Sequence, residues 1–282
     1  MTRTRLVAAT FLAMIAFAGN SLLCRFALKQ THVDAATFTT VRLISGAIVL
    51  WLIVRLRNGA NTTTGSWNSA LALFAYAAFF SLAYISLSAA TGALLLFGAV
   101  QVTMIGYGVW SGERLRALSA IGIVCAFAGL IALVLPGVAA PSFGGSTMMI
   151  AAGIAWGIYS LRGKKSAGDA TATTAGNFIL AVPFTIFFSL CGLHWMSIDP
   201  TGIYYAITSG AITSGMGYAI WYTALPGLQA MQAAIVQLSV PIIAAIGGIL
   251  FLGEQMTMRL MLASIAILGG IALVIIGRKR SA

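Results

Sequence analysis

Charged side chains punctuate this chain at intervals that match the thickness of a bilayer. Residues 6–24, 35–54 (interrupted only by Arg42), 170–193 and 260–277 are apolar runs each long enough for one helix. About 20 residues of helix cross a hydrocarbon core of roughly 30 Å. Residues 58–112, 117–161 and 200–253 carry no charge and are far longer, so each predicts a helical hairpin. Turn chemistry is present where the hairpins need it: Ala89-Ala90-Thr91-Gly92, Pro136-Gly137 through Pro141 to Gly145, and Pro226-Gly227. Four single spans and three hairpins predict an all-α membrane protein of ten transmembrane helices.

Lysine and arginine in short loops set the orientation. With the amino terminus inside, one face collects Arg3, Arg5, Arg55, Arg57, Arg114, Arg116, Arg162, Lys164, Lys165, Arg278, Lys279 and Arg280. The other keeps only Arg25, Lys29 and Arg259, so both termini are expected on the cytoplasmic side. The start, with Arg3 and Arg5 ahead of an apolar run, has the form of a signal peptide. The helix parity needs that segment, which is therefore read as a retained first span.

The two halves repeat each other. Gly106 to Gly112-Glu113 recurs, with the same internal spacing, as Gly247 to Gly253-Glu254. Ile131-Ala132-Leu133-Val134 recurs as Ile271-Ala272-Leu273-Val274, Asp34 matches Asp169, and Ser88-Ala89 with Gly92 loosely matches Thr223-Ala224 with Gly227. Short apolar identities are weak evidence in a chain this rich in Ala, Leu and Ile, whereas a Gly-Glu pair in register is stronger. The repeats are placed at 1–141 and 142–282. Five spans per unit is an odd number, so the second copy enters the membrane inverted, a recurring plan for alternating access around a mid-membrane site.

Composition agrees: 60% of the 282 residues are hydrophobic and 7% charged, too few charges to cover a soluble surface. The net charge of +11 comes in twos and threes between apolar runs, which marks topology and argues against nucleic acid as a partner. Cys24, Cys125 and Cys191 have neither a CxxC partner nor metal-ligand spacing and are read as packing residues.

The five-plus-five plan, Arg42 in the second helix and the Gly-Glu pairs closing the fourth and ninth helices resemble the drug/metabolite transporter superfamily in its EamA branch. Within it the chain is most similar to the bacterial aromatic amino acid exporters. The resemblance implies a multi-pass inner-membrane exporter of amino acids, neutral or aromatic, with broad specificity. It also implies a cavity lined by the third, fourth, eighth and ninth helices with parts of the first and sixth, and helices five and ten away from it. The expected partners are a small-molecule substrate and the lipid bilayer, with the chain a monomer or weak homo-oligomer and no cofactor. Arg42 has Asn177 as its nearest repeat counterpart, a departure from symmetry. Efflux of drugs or other small metabolites, and a membrane-embedded enzyme, are the alternatives.

The candidate chemistry is sparse. No intramembrane carboxylate pairs with His32 or His194, and no GxxxxGK[ST] phosphate loop exists, which disfavours an enzyme and an ATP-driven pump. The carboxylates Asp34, Glu113, Asp169, Asp199 and Glu254 all fall at helix ends or loops, so transport is expected without a carboxylate proton relay at membrane depth. Arg42 is either an anchor for a substrate carboxylate or a structural brace; its place near the helix start favours the brace. Glu113 and Glu254 are read as loop braces, and Pro183 and Pro241 as hinges. Substrate contacts are expected from the four-residue series Tyr76, Phe80 and Tyr84, from Trp156 with Tyr159, from Tyr218 with Trp221, and from the amides Asn20, Gln101 and Gln237. Packing against lipid or in an interface belt is the competing reading for each aromatic. An amide facing lipid would leave its hydrogen bonds unmade.

Overall fold

A backbone in hydrocarbon has to satisfy its polar groups internally, and this chain does so with helices. The computed structural model describes residues 2–58, 64–112, 117–137, 140–165, 168–228, 233 and 236–279, among which all regular structure is helical. In order these are α1 (Arg3–Gln30), α2 (Ala35–Asn58), α3 (Trp67–Tyr84), α4 (Ala89–Trp110), α5 (Ala117–Val134), α6 (Phe143–Lys165) and α7 (Ala170–Cys191). Then come α8 (Pro200–Thr208), a π-helical segment (Ser209–Met216), α9 (Gly217–Ala224), α10 (Ser239–Leu252) and α11 (Met258–Lys279). Among the described residues α1 to α5, α7 and α11 are seven helices long and apolar enough to cross a membrane.

Side-chain caps explain where several of these begin. Asp34 Oδ1 accepts from the backbone N–H groups of Ala36 and Thr37 at 2.8 and 2.9 Å, and Asp169 caps α7 through Thr171 at 2.9 Å. Two aspartates matched by the sequence repeat thus do the same job at the heads of α2 and α7. Ser88 caps α4 by accepting from the N–H of Thr91. That cap corrects the first hairpin: the turn lies over residues 85–88, and Ala89-Ala90-Thr91-Gly92 forms the first turn of α4. The repeated Gly-Glu pair also has a physical basis. Gly112 and Gly253 have φ of 92° and 63°, the left-handed conformation in which glycine ends a helix without strain.

A second correction concerns α1, which does not stop at Cys24. The helix runs on to Gln30, and Arg25 within it is buried rather than in a loop. A charge marks a span's end only when it has no partner inside, and Arg25 has one.

Close crossings depend on small residues. A Cβ on Gly122 would strike the carbonyl of Gly270, and one on Gly129 the Ala266 Cβ, so α5 and α11 lie against each other in antiparallel sense. The helices α2 and α7 are antiparallel as well: Thr40 donates to the Thr185 carbonyl, Gly46 lies against the Phe178 ring, and Arg57 bonds Thr171. Large apolar side chains such as Phe187, Leu250 and Ile265 point outward from the bundle, as lipid-facing helices require.

Candidate functional site

Capped by Asp34, α2 brings Arg42 into the bundle two turns on, where its side chain is 1% exposed. A guanidinium at membrane depth costs at least ~2.5 kcal/mol unless something compensates it. The compensation here is neutral and incomplete. Nη2 donates to the Tyr76 hydroxyl at 3.1 Å, and Nε reaches Ser214 Oγ at 3.4 Å. The guanidinium also lies 5.3 Å from the Tyr76 ring centre and 5.0 Å from that of Phe80. Nη1 is buried and has no hydrogen-bond partner.

Around Arg42 the polar groups of four helices converge. Asn20 of α1 donates through Nδ2 to the same Tyr76 hydroxyl at 3.2 Å and accepts from Ser209 Oγ at 2.7 Å. Both amide ends are therefore engaged, which is what lets an asparagine stay 6% exposed in an apolar bundle. The Tyr76 oxygen accepts twice, so its own hydrogen is not used within this set. Ser209 and Ser214 both belong to the π-helical segment, and such segments concentrate at functional sites because they shift side chains out of regular register. Gly210 makes the approach possible, since a Cβ there would collide with the Arg42 carbonyl and the Ser45 hydroxyl.

An aromatic array adjoins the polar set. The Trp156 ring of α6 is 4.7 Å from that of Tyr76 and is stacked on Tyr159 at 5.2 Å and on Tyr218 at 5.4 Å. Phe17 of α1 touches Tyr218 at 5.6 Å and Trp221 at 6.0 Å, and Phe178 of α7 meets Tyr218 at 6.0 Å. Asn177, the repeat counterpart of Arg42, donates to the Tyr159 hydroxyl at 3.4 Å and accepts from the Ser66 N–H at 3.0 Å. Both halves of the chain thus contribute, one with a charge and the other with an amide.

A separate latch closes one end of the bundle. Arg25 Nε pairs with Glu254 Oε1 at 3.3 Å, while Nη1 donates to the carbonyls of Tyr84 and Ile85 at 2.8 and 3.0 Å. Glu254 Oε2 accepts from the Ala89 N–H at 2.8 Å. Gly248 leaves room for that carboxylate, which a Cβ would meet at 2.6 Å. The end of α10 is thereby tied to α1 and to the turn between α3 and α4.

Of the sequence candidates, Asn20, Tyr76, Trp156, Tyr159, Tyr218 and Trp221 come together with Arg42. Tyr84 does extend the Tyr76 and Phe80 face, with ring contacts of 5.3 and 4.7 Å, but its hydroxyl bonds the Ala89 carbonyl and it belongs to the latch. Gln237 donates to the Ala233 carbonyl, and Gln101 takes no part in the cluster's described hydrogen bonds. Glu254 is the loop brace expected of it, and Glu113 lies outside the described residues. Pro183 is inside α7. Pro241 stands in the first turn of α10, where its missing N–H breaks no bond, three residues after an interruption at Leu238. Sequence reasoning missed Arg25, Ser209, Ser214, Phe17 and Phe178. Hydroxyls and glycines crowded into residues 209–215 of an apolar span were the available signal.

No group of three or more metal-ligating side chains occurs among the described residues. Close-packed apolar helices around a buried polar and aromatic centre make a membrane-embedded bundle with a polar interior. A profile of the EamA-like transporter family matches residues 143–276. The chain is 51% identical over 279 residues to the uncharacterized protein PA1977 of Pseudomonas aeruginosa, covering 99% of this chain and 97% of that one. It is 25% identical over 256 residues to an uncharacterized transporter of Archaeoglobus fulgidus, covering 86% and 88% of the two chains. With the uncharacterized transporter YoaV of Bacillus subtilis the identity is 23% over 191 residues, 65% of each chain. One solved crystal structure superimposes over 100% of both chains with a TM-score of 0.68 at 17% identity, which shows the fold. The chain carries an EamA-like transporter domain over residues 143–276 and is a multi-pass membrane protein.

Proposed function

We propose that the protein is a secondary transporter that exports neutral and aromatic amino acids across the bacterial inner membrane by alternating access. The observation that carries this reading is the stacked array of Trp156, Tyr159 and Tyr218 directly beside the Asn20–Tyr76–Arg42 network. Flat rings and a few fixed donors are what a zwitterion with an apolar side chain needs in order to leave water.

Ten spans in two inverted repeats, 1–141 and 142–282, with both termini cytoplasmic, complete the proposal. Its support is the antiparallel packing of α2 on α7 and of α5 on α11, helices that occupy equivalent places in the two repeats. The family match starting at residue 143 and the paired capping by Asp34 and Asp169 agree with it. The described carboxylates bond at helix heads and loops rather than in the central cluster, so coupling by exchange or by the substrate gradient fits better than a proton relay.

Proteoliposomes preloaded with unlabelled amino acid test this directly. Saturable uptake of labelled phenylalanine, stimulated by internal substrate and reduced about tenfold or more in Trp156→Ala, is the expected result. Folded protein that moves no amino acid above empty liposomes would reject the amino-acid assignment and leave efflux of another small metabolite.

A further inference from the structure

We infer that the central site selects its substrate by a carboxylate held on Arg42, and that the substrate's amino group is dispensable. The substrate class is then aromatic and apolar carboxylates, of which amino acids are a subset. This rests on the central cluster being the substrate site.

Charge accounting leads to this inference. Arg42 is fully buried, its two bonded nitrogens face neutral oxygens, and the third nitrogen has no partner. Every described carboxylate is engaged elsewhere: Asp34, Asp169 and Asp199 on backbone N–H groups at helix heads, and Glu254 on Arg25 and Ala89. Among the described residues the centre thus holds a positive charge with no anion bonded to it. A carboxylate accepting from Nη1, with the spare Tyr76 hydrogen beside it, would supply what is missing. An ammonium group, by contrast, has no anionic counterpart here and would meet the guanidinium's repulsion. The rings of Trp156, Tyr76 and Tyr218 then take the apolar body. An anion leaving an inside-negative compartment moves down the electrical gradient, so its export needs no proton relay.

Counterflow of labelled phenylalanine with ring-matched competitors tests the inference on the full-length protein in liposomes. Hydrocinnamate keeps the ring and carboxylate and lacks the amine; phenethylamine keeps the ring and amine and lacks the carboxylate. Hydrocinnamate is expected to compete at least as well as phenylalanine, phenethylamine about tenfold or more worse, and chloride not at all. In Arg42→Met the advantage of the acid should vanish while competition by the amine improves as the guanidinium's repulsion is removed, and Arg42→Lys should restore part of the acid's advantage. Equal competition by acid and amine, suppression by chloride alone, or unchanged selectivity in folded Arg42→Met would each overturn the inference, with the carrier reading intact. If Arg42→Met fails to fold, the wild-type competition order and Arg42→Lys decide. If phenylalanine does not move but labelled hydrocinnamate does, the inference stands and the amino-acid assignment falls; if neither moves, both fall.

Discussion

Arg25 and Arg42 are both buried in this bundle, and they are held in opposite ways. Arg25 has a carboxylate, Glu254, and two backbone carbonyls within 3.3 Å, and the carboxylate in turn caps the head of α4. Arg42 has two hydroxyls, two aromatic faces and one nitrogen with no partner. The first arrangement is closed: its charge is neutralised and its donors are directed at fixed acceptors, so it can hold three segments in place but has little left to bind with. The second is open. Burying a charge without its counterion is tolerated in a fold only when the surroundings over-determine the position, and such sites cluster where a ligand completes them.

The largest effect should come from opening the closed site. Arg25→Ala leaves the Glu254 carboxylate buried without its cation and the Tyr84 and Ile85 carbonyls without their donor. A loss of about 3–5 kcal/mol of stability is expected. In detergent this reads as a large drop in Tm, and the double variant Arg25→Met with Glu254→Gln should recover part of it, because no unpaired charge remains. A single variant that unfolds at the wild-type temperature would remove the latch from the account.

Arg42→Met should behave differently, and this is where the contrast is sharpest. Removing a guanidinium that is only partly compensated relieves a desolvation cost while giving up two hydrogen bonds to neutral oxygens. The stability change is expected within about 1 kcal/mol of zero, against a transport loss of tenfold or more. Parallel melting and flux measurements separate the two. A Tm drop as deep as that of Arg25→Ala would make Arg42 a brace of the same kind. Tyr76→Phe should fall between the two in its effect on folding, costing about 1–3 kcal/mol because Asn20 and Arg42 each lose the acceptor they share. It should also weaken substrate competition, which a melting curve alone would not register.

The same contrast explains what could be read in the chain before its fold was known. Apolar runs of bilayer length placed every described long helix, and a Gly-Glu pair in register pointed to glycines that both end helices in the left-handed conformation. Arg42 was visible because it interrupts such a run. Arg25 was not, since a charge at the edge of a run looks like a loop residue until its partner, 229 positions away, is brought to it. Asn20 and the aromatics of α3, α6 and α9 were legible as groups that lipid would not accommodate. Gln101 and Gln237 carry the same signal but take no part in the described hydrogen bonds of the cluster, since composition along a helix does not say which face turns inward. The π-helical segment was hidden for another reason. The segment packs Gly210 against α2, a tertiary contact that no local pattern encodes.

The smallest expected effect belongs to a carboxylate that is neither buried nor part of either arginine site. Asp199 heads α8 from the surface, and its carboxyl lies below the ordinary carboxylate range, first because it accepts from the Gly202 N–H, then from those of His32 and Thr201. A folded-state value below the unfolded one means that ionised Asp199 favours the fold. That contribution is present above the ordinary carboxylate value and is lost as the pH falls through the lowered one. Asp199→Asn keeps an oxygen to cap the helix and has nothing to titrate, so its melting temperature near neutral pH should stay close to wild type. Below about pH 4 the wild-type curve should fall slightly more steeply than the variant's. A wild-type and variant pair with parallel acid limbs would mean that the cap holds equally well when protonated. In that case ionisation of Asp199 adds nothing to the fold beyond what its neutral oxygen supplies as a cap.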